Sequence, residues 1–387
     1  METLNSWKRR SGWFAASGLI LLLLAGWMIV AGPTTVYRTL RYNFSGIDDY
    51  RIFPQRVMSA SAQPFRFAES KAGNADPHVR FGAKKNVHLS DLLNQTDTTA
   101  FLLIKDDRIV TEYYPAGYSR ATPSMSFSMA KSFFSILVGC AIADGYFKSI
   151  DQPVTDFVPE LSARGFSAVT LKHLLQMTSG MDYPEPGVPL GLHDRFYYTD
   201  HLEQETLKLE LKEPPGTRFE YKSGDVFLLT LALERALDGK SISVYMQERL
   251  WQPLGMEHDG IWSIDHAPDG LEKTGCCLAA TARDFAKFGR LYLNQGKWEG
   301  KQIVPADWVK AANQVDLSIG SIWNYQRLWW RVAPDRPDFM ANGHLGQFLY
   351  INPATNTAIV RLGKSMGSLS RDEWAQVFIS LSEGDMK

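Results

Sequence analysis

The chain reads as an α+β domain behind one N-terminal apolar helix, and three observations predict this class. Strand patterns occur near both ends of the globular part, helical patterns fill the interval between them, and an uncharged stretch from Ser11 to Gly32 precedes everything. Strands at both ends with helices between imply one antiparallel sheet assembled from the two termini, with a mostly helical region inserted. The division that follows is 1–10 as a cytoplasmic N-terminus, 11–32 as a transmembrane signal-anchor, 33–85 as a connector and 86–387 as the globular domain. Within that domain, 86–125 and 325–387 form the sheet part and 126–324 the helical part.

The N-terminal stretch contains the run Leu19-Ile20-Leu21-Leu22-Leu23-Leu24 and is followed by Pro33. Roughly 20 apolar residues cross a bilayer, whereas a signal-peptide core is usually about 7–15 residues with a small-residue cleavage site behind it. The length favours an uncleaved anchor. Val30-Ala31-Gly32 leaves a cleaved leader open, and a buried core helix is a third reading. Lys8-Arg9-Arg10 before the stretch stay cytoplasmic by the positive-inside rule. A single-pass protein of the bacterial inner membrane follows, with its globular domain extracytoplasmic, periplasmic in a Gram-negative cell. Arg38 and Arg41 weaken the asymmetry.

Residues 33 to 85 mix Asp48-Asp49, Pro54 and Gly73-Asn74 without sustained periodicity, which predicts a membrane-proximal connector. Phe101 to Ile104, the polar tip Lys105 to Arg108, and Ile109 to Tyr114 predict a hairpin. Ser128 to Asp144 is apolar on nearly every face and is stopped by Gly145, the pattern of a buried helix with a glycine cap. Helices follow over Leu171 to Met177, Asp225 to Leu237 and Ala282 to Leu293. Strands return over Leu328 to Val332, Gln347 to Asn352 and Thr357 to Leu362, and Asp372 to Leu381 closes the chain as a helix.

Composition excludes several classes. Lys and Arg number 41 against 42 Asp and Glu, so no basic field exists to hold nucleic acid. Cys140, Cys276 and Cys277 match neither a disulfide framework nor a zinc spacing and read as small buried hydrophobes. The histidines show no metal-binding spacing and no glycine-rich phosphate loop occurs, so neither metal nor cofactor is implied.

Ser128-Met129-Ala130-Lys131 opens the most apolar helix of the globular part. Residues three apart share a helix face, so a lysine there reaches the serine oxygen. Desolvation makes such a lysine give up its proton more easily, and it can then act as the base that activates the serine. Alone, Ser-x-x-Lys is a common pattern.

Four further segments recur in a set order. They are Leu174-Leu175-Gln176-Met177-Thr178-Ser179-Gly180, Pro215-Gly216-Thr217-Arg218-Phe219-Glu220-Tyr221-Lys222-Ser223, Thr281-Ala282-Arg283-Asp284-Phe285-Ala286-Lys287-Phe288-Gly289, and Gly343-His344-Leu345-Gly346. With Ser128 and Lys131 they resemble the class C beta-lactamase, DD-peptidase and esterase superfamily, especially its 6-aminohexanoate-dimer hydrolase branch, from about residue 85 to 380. That resemblance implies the beta-lactamase/transpeptidase-like fold and a serine hydrolase acting through an acyl-enzyme at Ser128.

The resemblance also assigns roles. Tyr221 takes the tyrosine of the Tyr-x-Asn motif, with Ser223 in place of the amide, and a neighbouring ammonium would lower its phenol from about 10. Lys273-Thr274-Gly275 is a literal K-T-G of the beta-lactamase type, but it precedes the Thr281 to Gly289 helix, where the family places the motif after it. His344 is therefore taken as its counterpart. The N–H groups of Ser128 and of Gln347, after Gly346, would form the oxyanion hole.

Exchanging lysine for histidine removes a charge that would anchor a substrate carboxylate. The substrate expected is then a linear amide or short-chain ester. The rival readings are a beta-lactamase or DD-peptidase, and a sensor that is acylated without turnover. Tyr183 and His193, with Asp182, Asp194 and Arg195 beside them, lie where related hydrolases contact substrate. Loops 182–200 and 312–330 would set specificity. Trp308, Trp323, Trp329 and Trp330 are read as core, with pocket lining as the alternative.

Overall fold

The computed structural model describes residues 17–18, 21–23, 25–70, 74–82, 85–185 and 191–384. The segment 1–10 and much of the 11–32 span lie outside the described residues. The described part of that span is a helix, Leu21–Ala31, which breaks at Gly32 and bends by 117° into a second helix, Pro33–Tyr42. Among the described residues no single helix is long and apolar enough to cross a membrane, and the two helices pass that test only as a bent pair. The break at Gly32 falls at the end of the predicted 11–32 span, where Pro33 fits a helix start and ends the helix before it.

The main sheet has eight strands. Trp329–Arg331, Phe339–Gly343, Gln347–Asn352 and Thr357–Gly363 from the C-terminal part run antiparallel into Thr98–Lys105 and Arg108–Tyr113 from the N-terminal part. The joint between the two halves pairs Thr357 with Lys105 and Leu362 with Ala100. Both faces are covered, so the central strands are buried from Thr98 to Ile104 and along Thr357–Gly363. One face packs the helices Met129–Ala143 and Ala282–Leu293, and the other packs the C-terminal helix Arg371–Glu383 through Trp374 and Phe378.

Residues 33–85, read as a connector, belong to the domain. Gln55–Met58 pairs with Gly260–Ser263, and Ala68–Glu69 adds a parallel edge to the main sheet. These strands are two to four residues long, too short to give a period. A second, four-stranded sheet joins Gln55–Met58, Gly260–Ser263, Leu278–Ala280 and Ser124–Met125. It lies partly inside the region predicted to be helical. Two residues separate the end of its last strand from Ser128.

Candidate active site

Ser128 is the N-cap of the helix Met129–Ala143, nearly all of whose side chains are buried. Phe127 before it has φ of +47°, a left-handed conformation that a phenylalanine seldom adopts. This kink turns the chain from the Ser124–Met125 strand into the helix and leaves Ser128 half-buried while its neighbours are covered. Lys131, one turn on, is 1 % exposed. Its Nζ lies 2.9 Å from Ser128 Oγ and donates to the Gly275 carbonyl at 2.6 Å. Burial lowers the lysine to about 8, with Glu185 opposing.

Tyr221 closes the group. Its phenol faces Ser128, and the ammonium of Lys131 sits 5.3 Å from its ring centre. The predicted lowering of this phenol is overturned. Burial, aided by Glu185, raises it above its ordinary value, so of the two groups the lysine is the one that deprotonates near neutrality. The segment carrying Tyr221 is held by the Thr178-Ser179-Gly180 turn. Met177 O accepts from Glu220 N at 2.9 Å, and Thr178 O accepts from Gly216 N at 2.8 Å. Gly180 must be glycine here: its φ is +74° and a Cβ would meet Glu213 O at 2.1 Å. Ser179 donates to the buried Asp225, whose carboxyl burial pushes up to about 7.

The strand pair ending in Gly343-His344-Leu345-Gly346 completes the wall. A Cβ on Gly343 would strike Ser126 O at 2.2 Å and come within 3.2 Å of Met129 N, so this backbone lies directly against the Ser128 turn. Gly346 has φ of +79° and packs on the guanidinium of Arg361. Arg361 is fully buried and has no carboxylate in hydrogen-bond contact among the described residues. It donates to Gly346 O at 2.6 Å, Thr96 O at 2.6 Å and Ser365 O at 2.7 Å. Gln347, next in the chain, is buried, and its Nε2 donates to Gly363 O at 2.6 Å. His344 stacks edge-on against Phe127 at 5.4 Å, and burial lowers its pKa, which keeps it neutral at pH 7.

Two cavities meet at Ser128. The larger, about 410 Å³, contains Tyr183, Glu185, His193, Ser223 and His344, so the structure brings these predicted residues together. Among the described residues no lysine or arginine lines it. Sequence reasoning passed over Glu185, although it lies inside the loop expected to set specificity. Its carboxylate accepts from the backbone N–H of Ser223 and from Ser223 Oγ at 2.7 Å, and His193 Nδ1 stands 3.8 Å away. Serine in place of asparagine thus reaches a second carboxylate rather than leaving the position empty. Tyr183 is fully buried, and its hydroxyl has no partner among the described residues.

The smaller cavity, about 270 Å³, contains Trp330, Asn342, Met366 and Arg371. Trp330 lies between Tyr221, at 5.6 Å between ring centres, and the Arg371 guanidinium, 4.6 Å from its own ring centre. Trp308 and Trp329 are core.

Lys273 faces away from the site. Its Nζ donates to Phe196 O at 3.2 Å and Thr199 O at 3.0 Å, which agrees with setting this triplet aside as the charged anchor. Gly275, at its end, nevertheless supplies the carbonyl on Lys131. Next to it, Cys276 and Cys277 are joined in a disulfide between chain neighbours, correcting their reading as separate hydrophobes, while Cys140 is free and buried. Disulfide spacing rules concern loops that close at a distance and do not anticipate adjacent partners. The Thr281-to-Gly289 motif is architectural: Asp284 accepts from Thr281 Oγ1 at 2.8 Å and from Glu257 N at 2.6 Å, and pairs with Lys287 at 3.0 Å.

A serine at the mouth of a buried helix, packed on an antiparallel sheet with a lysine one turn on and a tyrosine from a separate loop, defines the penicillin-recognising class of fold. Solved structures share it. One from Bacillus anthracis named for 6-aminohexanoate-dimer hydrolase covers 89 % of this chain and 93 % of its own, with a TM-score of 0.78 at 24 % identity. A family VIII carboxylesterase covers 73 % and 91 %, with a TM-score of 0.58 at 19 % identity. At these identities they show the fold alone.

In sequence, the 6-aminohexanoate-dimer hydrolase of Paenarthrobacter ureafaciens is 29 % identical over 312 residues, which is 74 % of this chain and 78 % of the relative. The Beta-lactamase family model matches residues 89–380. The chain belongs to that family and is a serine hydrolase of amide or carboxylic ester bonds.

Proposed function

We propose that Ser128 is the nucleophile of a membrane-anchored hydrolase that cleaves a small amide or ester through an acyl-enzyme. The carrying observation is the 2.9 Å contact between Ser128 Oγ and a buried Lys131 whose pKa is brought down to about 8. Neutral Lys131 donates one N–H to Gly275 O and turns its lone pair to Ser128, taking the hydroxyl proton as the oxygen attacks the carbonyl. The N–H groups of Ser128 and Gln347 receive the oxyanion. Tyr221, kept protonated by burial, gives its proton to the leaving amine or alcohol and is reprotonated from Lys131. Water, deprotonated by the same pair, then releases the acid and restores Ser128.

A linear amide or short-chain ester fits the larger cavity better than a penicillin. Among the described residues, Glu185 and Asp194 line it and no lysine or arginine does, which suits a substrate that presents an amine. The name of the Paenarthrobacter relative points the same way. A beta-lactam or D-Ala-D-Ala-like substrate is the second reading, favoured by Arg371 in the smaller cavity.

Anchoring rests on the uncharged stretch 11–32 behind Lys8-Arg9-Arg10, and extracytoplasmic placement on the same charges. The test is turnover of p-nitrophenyl acetate, nitrocefin and a 6-aminohexanoate dimer by the full chain and by Ser128→Ala. Loss of about 10⁴-fold or more in the variant is expected. Activity that survives overturns the nucleophile, strong nitrocefin turnover selects the second reading, and an acylated Ser128 that never turns over selects a sensor.

A further inference from the structure

The helix Pro33–Tyr42 has two dissimilar faces. Thr35, Val36 and Thr39 are buried against the domain, and Arg38 donates to Tyr198 O at 3.0 Å with its guanidinium over Phe53. The opposite face shows Tyr37 and Leu40, 61 % and 56 % exposed, followed by Phe44 at 86 %. Nine of the thirteen exposed large hydrophobic residues among the described ones fall between Leu21 and Phe44. They cluster in one stretch of the chain, interrupted on the second helix by the exposed Arg41, rather than being the scattered singles found on most surfaces.

The catalytic cavity begins where this tract ends. Asn43 and Ser45 both line it, and Phe44 stands between them with its ring turned outward. The tract therefore ends beside the mouth of the Ser128 cavity, and none of Tyr37, Leu40 and Phe44 lines it.

Geometry identifies what covers the tract. The 117° bend at Gly32 carries the second helix well past a right angle to the first. With the uncharged stretch 11–32 crossing the bilayer, as in the anchored reading, the helix after the bend lies along the surface, with Tyr37 and Leu40 toward the lipid and Val36 and Thr39 toward the domain. This is the arrangement of an interfacial amphipathic helix.

We infer that the face formed by Tyr37, Leu40 and Phe44 rests in the phospholipid surface and holds the mouth of the Ser128 cavity there, so that the enzyme draws amphiphilic esters or amides directly from the bilayer. The inference rests on the anchored-hydrolase reading above. Ser128 attacks the carbonyl of a substrate whose apolar tail stays in lipid, and water returns the acid, as in the reaction already written.

The experiment uses the full chain reconstituted in vesicles of phosphatidylethanolamine and phosphatidylglycerol. An environment-sensitive fluorophore on Leu40→Cys is expected to shift to the blue and to be quenched by lipids brominated near the headgroup, while the same label on Glu299→Cys stays aqueous. The triple variant Tyr37→Ser/Leu40→Ser/Phe44→Ser is expected to lose about 10-fold in kcat/KM on bilayer-held p-nitrophenyl laurate, yet keep p-nitrophenyl acetate turnover within about 2-fold.

A label at position 40 that remains in water, or that reports a second copy by label-to-label energy transfer, overturns the inference. So does an equal fall on both esters, or a wild type that hydrolyses the acetate but not the laurate. The depth measurement needs no catalysis, and Ser128→Ala tests the hydrolase reading separately, so failure of one is distinguishable from failure of the other.

Discussion

The two walls of the larger cavity are built in opposite ways. On one side, Ser128, Lys131 and the Gly343 strand end are held by a fully packed helix, by the main sheet and by a buried guanidinium. On the other, Tyr183, Glu185 and His193 sit on a loop and a seven-residue helix, joined by polar pairs over open space. Groups that must be placed to a few tenths of an ångström are given to the core, and groups that choose among substrates are given to a segment that can vary without disturbing it.

The largest effect should come from the packed wall. Lys131→Met is expected to lower kcat/KM by about 10³-fold or more with little change in fold, read by ester turnover and circular dichroism. The pH profile sharpens the point. The neutral amine is the active form, so the wild-type rate should rise as pH increases through about 8 and then level. In the variant that rise should vanish, and a rise that persists would assign the base elsewhere.

Arg361→Met tests whether that wall is held from behind. It strands two buried carbonyls and one partly buried one, and should cost about 3 kcal/mol, read from the urea midpoint. An unchanged midpoint would mean that the loop holds itself.

The variable wall should respond to substrate identity instead. Glu185→Gln is expected to cost about 10-fold on amides bearing a free amine and almost nothing on neutral esters, compared through kcat/KM. An equal loss on both would move Glu185 from selecting substrate to holding Ser223.

The smallest effect belongs to the seam between the walls. Cys276→Ser/Cys277→Ser should loosen the Gly275 carbonyl and lower kcat by a few-fold, about 2- to 5-fold, with KM nearly unchanged.

The same contrast explains what was legible in the sequence. The helix from Ser128, the hairpin Thr98–Tyr113, the Ala282–Leu293 helix and the C-terminal strands were readable because each is long, buried and bounded by clear breakers. Ser128, Lys131, Tyr221 and His344 were readable because the order of the family's motifs marks them. Short edge strands such as Gln55–Met58 carry no period, so the second sheet was missed. Glu185, Arg361 and the Gly275 carbonyl act through contacts dozens to hundreds of residues distant in the chain. A single sequence contains no sign of those distances. The direction of the Tyr221 shift was misread for a related reason, since the degree of burial is a tertiary quantity.

Trp330 has a consequence for measurement. Its indole lies between the ring of Tyr221 and the guanidinium of Arg371. Indole emission responds to nearby charge, so a proton leaving the phenol or an anion engaging the guanidinium changes its brightness. With eleven tryptophans in the chain, subtracting the spectrum of Trp330→Phe isolates that one signal. The enzyme thereby carries an optical gauge beside its reacting bond, able to time acylation and release without a coloured substrate.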